Sequence, residues 1–279
     1  MTVFLPQIAI LGAGSMGGAI LSGLLSPEVE AAGITVTNRT EAKAAAVRHP
    51  GVVSLALESD PDATTTALQG AKLVLLGVKP AMVPDLLRDV RDVLPPDAIV
   101  VSVAAGVTIA TMEALIPNVV FRSMPNTPSV VGLGVTGVAA GSRASEEDAA
   151  LVRTLFETVG AVIELPESQI DALSTISGSG PAYVFLLIEQ LTATARRLGF
   201  DDEQSRIMVE QTFRGASELL ARERTRSDAG PAELRRRVTS PKGTTERAIA
   251  VLQSADLGEL FDRATAAALV RAGEMARGE

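Results

Sequence analysis

The stretch Ile8-Ala9-Ile10-Leu11-Gly12-Ala13-Gly14-Ser15-Met16-Gly17 decides the fold. Four apolar residues read as a buried strand, and Gly12, Gly14 and Gly17 then lead into a helix. A strand that feeds this glycine spacing into a helix is built to hold a dinucleotide pyrophosphate. The first glycine permits the tight turn, the second lets backbone approach the phosphates, and the third lets helix and strand pack closely. The helix N-terminus adds unpaired N–H donors. Leu11, Gly12, Ala13, Gly14, Ser15 and Met16 are therefore the first candidate cofactor-binding residues. The bland alternative is a structural glycine turn.

Outward from this motif, strand-like runs read at 7–11, 34–37, 73–77, 98–103, 118–122, 134–140 and 161–165. Helical patterns lie between most of them, at Met16–Leu25, Glu41–Arg48, Ala81–Leu94 and Glu146–Val159. Such alternation predicts a mostly parallel sheet with helices on both faces. After Pro166 the pattern becomes helical only: Ser168–Ile176, Pro181–Leu198, Glu203–Glu223, Pro231–Val238, Thr245–Ala255 and Leu257–Ala276. Pro181 suits a first helical turn, Gly199 a helix stop and Asp201 an N-cap, while polar Arg224–Gly230 reads as the one mobile segment. The expectation is an α/β, Rossmann-like dinucleotide-binding domain over residues 1–165 and an all-α domain over 166–279. The helix from Pro181 carries Tyr183-Val184-Phe185-Leu186-Leu187-Ile188, apolar on every face. A helical domain this small buries such a helix most readily at a subunit interface, a central core helix being the alternative.

Composition narrows the chemistry. The 279 residues include no cysteine and one histidine, His49, in the turn-like Arg48-His49-Pro50-Gly51. Thiol nucleophiles, disulfides, a Ser-His-Asp triad and a multi-histidine zinc site are excluded, and no metal is expected. A net charge of −8 with 3% aromatic residues argues against nucleic-acid binding. The longest apolar run, Pro181–Ile188, falls far short of the ~20 residues of a membrane span. Met1-Thr2-Val3-Phe4 lacks the features of a signal peptide, so a soluble cytoplasmic protein is expected.

The second strand ends in Asn38-Arg39-Thr40, where NAD-binding folds usually place a carboxylate for the ribose 2′-hydroxyl. An amide, a guanidinium and a hydroxyl can all donate to a 2′-phosphate, which favours NADPH over NADH. A solvated arginine in a surface turn is the competing reading. Two further strand ends face the same crevice: Gly77-Val78-Lys79-Pro80, and Val103 with the small Ala104-Ala105-Gly106, against which a flat nicotinamide could lie. Lys79 reads equally as an acid, a carboxylate anchor or a solvated loop residue. In the helical half, Ser177-Gly178-Ser179-Gly180-Pro181 reads as a helix break. Ser240-Pro241-Lys242-Gly243-Thr244-Thr245-Glu246 reads either as an anion site, with hydroxyls around a helix N-terminus, or as an ordinary cap closed by Glu246.

These motifs carry a resemblance. The chain resembles the pyrroline-5-carboxylate reductases over essentially its whole length, through I-L-G-A-G-S-M-G, G-V-K-P at 77–80, A-A-G-V-T at 104–108, R-S-M-P-N-T-P at 122–128, S-G-S-G-P-A-Y at 177–183 and V-T-S-P-K-G-T-T at 238–245. The resemblance implies a Rossmann domain followed by a helical dimerisation domain, a homodimer or a higher assembly of dimers, and a substrate pocket completed at the dimer interface. It implies reduction of 1-pyrroline-5-carboxylate to L-proline, the last step of proline biosynthesis, with NADPH preferred in many members. By position, Ser240 and Thr245 correspond to the catalytic-site residues that hold the substrate's carboxylate and ring nitrogen. Gly243 and Thr244 supply backbone N–H groups, and Asn126 and Ser179 complete the substrate set. One departure stands out: Lys242 replaces a usual glycine, and an ordinary, negative φ is expected there. Competing functions are reduction of another cyclic imine or a β-hydroxyacid, and a catalytically silent NADP(H) sensor.

Overall fold

The computed structural model describes residues 2–277. Eight strands form one sheet: β1 (Val3–Leu11), β2 (Val29–Asn38), β3 (Val52–Ala56), β4 (Leu73–Leu76), β5 (Ile99–Ser102), β6 (Val119–Met124), β7 (Gly134–Ala140) and β8 (Gly160–Glu164). Their order is β3-β2-β1-β4-β5-β6-β7-β8, and every neighbouring pair is parallel except β6 with β7. The chain leaves β1 towards β2 on one side and returns to β4 on the other. The crevice at the carboxyl ends of β1 and β4 is therefore the switch point where open α/β sheets take their ligands.

Six helices connect the strands: α1 (Ser15–Leu24), α2 (Glu41–Ala45), α3 (Ala63–Leu68), α4 (Val83–Val90), α5 (Ile109–Glu113) and α6 (Glu146–Glu157). Leu73-Val74-Leu75-Leu76 and Ile99-Val100-Val101-Ser102 are buried at every position, as parallel strands covered on both faces must be. On one face Val74, Leu76 and Val100 pack with Val83, Leu87 and Met112. On the other, Ile8, Ile10, Leu75 and Phe121 pack with Ile20, Leu24, Leu155 and Phe156. Each fully buried Leu or Ile contributes roughly 1.5–3 kcal/mol, and this two-sided core holds the crevice rigid.

The sheet is larger than the sequence pattern predicts. β1 begins at Val3 rather than at residue 7, because Pro6 lies where only β2 is alongside; pairing with β4 starts at Ile8, so no ladder bond is lost on that side. β3, α3 and α5 carry too few residues to declare a period and were not expected. His49 is exposed in a turn, as expected.

Two compact units are present, one built on the residues up to Ser179 together with the stretch from Ala268, the other on Gly180–Ala267. At the end of the first, Ile170–Leu173 forms α7 and Ser174–Gly178 a π turn, in which Ser179 N–H donates to Ser174 O at 2.9 Å. The expected break at Ser177–Pro181 is thus a widened helical turn instead. Glycines loosen the backbone, but i→i−5 bonding preserves the helical path.

The second unit contains α8 (Gly180–Arg197), α9 (Asp202–Ser227), α10 (Pro231–Arg237) and α11 (Thr244–Ser254), and α12 (Leu257–Arg277) begins in it. Gly199 has φ +97°, and Asp201 caps α9 through Gln204 N with a reciprocal bond. Arg224–Ser227, expected in the mobile connection, form the last turn of α9, where Arg224 pairs with Asp228 and Ser227 Oγ bonds Glu223. Tyr183 and Phe261 meet with ring centroids 6.2 Å apart. Little is enclosed: Phe261 is 46%, Phe185 66% and Leu187 49% exposed. Among the described residues, no helix is long and apolar enough to cross a membrane.

Candidate active site

The glycine turn is built by three close approaches. Gly12 has φ +95°, a conformation side chains disfavour, and its N–H donates to Thr37 O at 2.9 Å. A Cβ on Gly17 would stand 2.5 Å from Gly12 O, and one on Gly77 only 2.1 Å from the same oxygen. Gly17 and Gly77 therefore let α1 and the end of β4 close on the turn, and Gly77 N–H donates to Leu11 O at 2.9 Å. A Cβ on Gly14 would meet nothing within 4 Å, so that glycine faces open space. Gly12 thus makes the tight turn and Gly17 the close packing that their spacing predicts.

Beside them lies a cavity of about 370 Å³ lined by Gly12, Gly14, Asn38, Arg39, Lys43, Gly77, Val78, Lys79 and Met82. Asn38 is 4% exposed; its Oδ1 accepts from Ala13 N–H at 3.2 Å, while its Nδ2 is buried with no hydrogen-bond partner. Arg39, Lys43 and Lys79 are exposed and make no ion pair among the described residues. The wall thus carries three cations and no carboxylate, and these residues fit a phosphorylated dinucleotide. Thr40 has a second task, since its Oγ1 caps α2 by accepting from Lys43 N–H at 3.4 Å.

The remaining cofactor candidates sit at neighbouring strand ends. Ser15 is the exposed first residue of α1, Met16 is half-buried, and Pro80 opens the 3-10 turn Pro80–Met82 after Lys79. Past β5, Ser102 Oγ accepts from Ala104 N–H at 3.2 Å, and Gly106 turns the chain with φ +76°. Val103 and Ala105 are left half-buried.

In the helical unit, Gly243 is the N-cap of α11, which starts at Thr244. Ser240, Thr244 and Thr245 are exposed. Lys242 has φ +61°, which overturns the expectation of an ordinary φ. The reason is local: Pro241 and Lys242 are the corners of a turn closed by Gly243 N–H donating to Ser240 O at 3.0 Å. Such a turn, with proline first and positive φ second, usually takes glycine there. The strained lysine is held by its own N–H, which donates to Glu246 Oε2 at 2.9 Å. Glu246 therefore braces the residue before the cap rather than the cap itself. With the Gly243 N–H already taken, the first-turn donors left open are those of Thr244, Thr245 and Glu246.

The other two substrate candidates lie in the first unit. Ser179 is half-buried at the end of the π turn. Asn126 is 7% exposed, its Nδ2 donating to Ser177 O and its Oδ1 accepting from Val135 N–H, both at 2.8 Å.

Comparison with known proteins adds the family. The family described as pyrroline-5-carboxylate reductase dimerisation matches residues 167–275, and that described as NADP oxidoreductase coenzyme F420-dependent matches residues 7–106. A pyrroline-5-carboxylate reductase of Pseudomonas aeruginosa is 36% identical over 274 residues, 97% of each chain. The chain belongs to the pyrroline-5-carboxylate reductase family. A reductase structure from Coxiella burnetii, 35% identical, superposes with a TM-score of 0.85 over 96% of this chain and 97% of that one. A Plasmodium falciparum pyrroline carboxylate reductase with NADP bound shares the fold, with a TM-score of 0.80 at 23% identity over 97% and 98% of the two chains.

Sequence reasoning missed Lys43 and Met82. The signal for Lys43 was present: with Thr40 as N-cap, position 43 is the third residue of α2, one turn from Arg39. A second missed group is Arg122, 4% exposed, which pairs with Asp171 and with Glu167, whose Oε1 also accepts from Ile109 N–H at 2.7 Å. Nothing in the local pattern around Arg122 names partners some fifty residues later.

Proposed function

We propose that this chain reduces 1-pyrroline-5-carboxylate to L-proline, the closing step of proline biosynthesis, with NADPH as the preferred cofactor and NADH used less well. The full-length relationship at 36% identity carries this reading. Arg39, Lys43 and Lys79 on a cavity wall without a carboxylate support the cofactor choice. The bound nicotinamide supplies a hydride to the carbon of the C=N bond.

The rest is the work of the chain's own residues. Gly12–Met16 receive the pyrophosphate, and Asn38, Arg39, Thr40 and Lys43 receive the 2′-phosphate. Gly77–Pro80 and Val103–Ala105 line the nicotinamide side. Ser240, with the N–H groups of Thr244 and Thr245, holds the substrate carboxylate, where the α11 N-terminus favours an anion. Thr245 Oγ1 accepts from the ring N–H of the protonated imine and so orients it. An alcohol is a poor acid, so Thr245 positions that proton rather than supplying it. Catalysis here is placement and electrostatics. Ser240, Thr244 and Thr245 belong to the helical unit, while Asn126, Ser179 and the nucleotide set belong to the first, in a cytoplasmic homodimer or a higher assembly of dimers.

The test is loss of NADPH absorbance with pyrroline-5-carboxylate, other cyclic imines and β-hydroxyacids offered in parallel. Selective turnover of pyrroline-5-carboxylate is expected. Turnover of another substrate alone, or nucleotide binding without any turnover, would replace the reading.

A further inference from the structure

We infer that Asn126 is a positioning residue: it braces the Ser174–Gly178 π turn so that Ser179 is presented to substrate, and it does not itself bind substrate. This rests on the reading of Ser179 as a substrate residue. The amide of Asn126 is engaged at both ends, Nδ2 on Ser177 O and Oδ1 on Val135 N–H, each at 2.8 Å. A carbonyl faces one end and an N–H the other, so a side-chain amide in a single orientation satisfies both. At 7% exposure, the side chain is enclosed where those bonds hold it.

The turn it touches needs a brace. Ser179 N–H reaches five residues back to Ser174 O, the mark of a π turn, which is rare and frequent at functional sites. Gly178 and Gly180 give this stretch backbone freedom, and Pro181 has no N–H to contribute. Two further side-chain bonds on this stretch are local, Thr175 Oγ1 to Ala172 O and Ser177 Oγ to Leu173 O. The stretch Arg122–Asn126 grips the helical segment at two points instead, Arg122 on Asp171 and Asn126 on Ser177. Loss of the second grip lets the turn relax to ordinary spacing. One residue of slip turns the following side chains by about 100° around the axis and takes Ser179 off its target.

Asn126→Asp is the discriminating substitution. It keeps the size and the acceptor for Val135 N–H but sets an oxygen against the Ser177 carbonyl. A folded variant is expected to show a KM for pyrroline-5-carboxylate raised tenfold or more, with NADPH affinity within twofold of wild type. Amide exchange at Ser179 should quicken while that at Gly18, in the first turn of α1, does not. An unchanged substrate KM overturns the inference, as does an equal loss for substrate and NADPH. Should the carboxylate prevent folding, as judged by circular dichroism, Asn126→Ala removes the donor without adding a charge, and the same split is required of it. Failure of the wild-type protein to turn over pyrroline-5-carboxylate would bring down the functional reading instead, and would be seen before any substitution is made.

Discussion

The nucleotide-binding unit and the helical unit are both rich in apolar residues, yet they use them differently. In the first, Leu73, Leu75, Val100 and Val101 lie at no more than 1% exposure between two layers of helices. In the second, α8 holds Val184, Phe185, Leu186 and Leu187 at 44–66% exposure, and Ala195 is its one buried residue. A sheet with helices on both faces closes its own core. The few helices of this unit leave the apolar stretch from Val184 to Leu187 uncovered, so its burial falls to a second copy. One unit is therefore a complete folding object, while the other is half of an interface.

The strongest way to break this contrast is to cut into each unit separately. Leu75→Ala should cost about 2–5 kcal/mol in thermal or denaturant unfolding, with no dependence on protein concentration. Leu187→Asp should leave the sheet unit folded but weaken association by about 2 kcal/mol or more, read as monomers in light scattering. Active monomers would refute the idea that the helical unit needs a partner.

Next in size is the cation cluster of the nucleotide unit. Arg39→Ala should raise the KM for NADPH roughly ten- to a hundredfold, the worth of a charge-assisted bond at about 1.5–3 kcal/mol, and leave that for NADH nearly unchanged. Equal effects on both cofactors would remove the 2′-phosphate from this wall.

A smaller effect is expected at Lys242, which holds φ +61° at a cost of about 1 kcal/mol that glycine would not incur. Lys242→Gly should raise stability by up to that amount. Because the lysine is exposed, the KM for pyrroline-5-carboxylate should move by less than about threefold, ~0.7 kcal/mol. A tenfold loss that fades as salt is added would place its ammonium on the substrate.

The smallest effect concerns acid. Arg236 and Arg237 hold the Glu233 carboxyl down to about 2 from its usual 4.5. A depressed carboxyl stabilises the fold above its unfolded value, and that contribution is lost as pH falls from about 4.5 towards 2. Wild type should therefore lose slightly more melting temperature between pH 5 and pH 3 than Glu233→Gln does. Parallel curves would show that this exposed pairing contributes nothing measurable.

The places where the sequence was legible share a cause. Gly12, Gly14 and Gly17 announce their turn because glycine at that spacing answers a local steric demand. Gly199 and Asp201 announce the end of α8 and the start of α9 for the same kind of reason. The expectation failed where several distant segments decide together. Pro6 sits within β1 because pairing with β4 begins only at Ile8, and the π turn at Ser174 is met from a distant segment by Asn126. Lys242 adopts a glycine conformation because a turn and Glu246 jointly hold it there.

By itself, the sequence determined the class of fold, the position of the dinucleotide turn, the change from sheet to helices near Pro166 and the family, since each is written in local spacing or contiguous motifs. Tertiary structure alone decided that Asn38 Oδ1 takes the Ala13 N–H and that Lys79 joins Arg39 beside one cavity. It also decided that the Asn126 amide faces the chain's own backbone. Hydrogen-bond partners tens of residues apart are set by how strands and helices stack, and no local pattern in the chain encodes that distance.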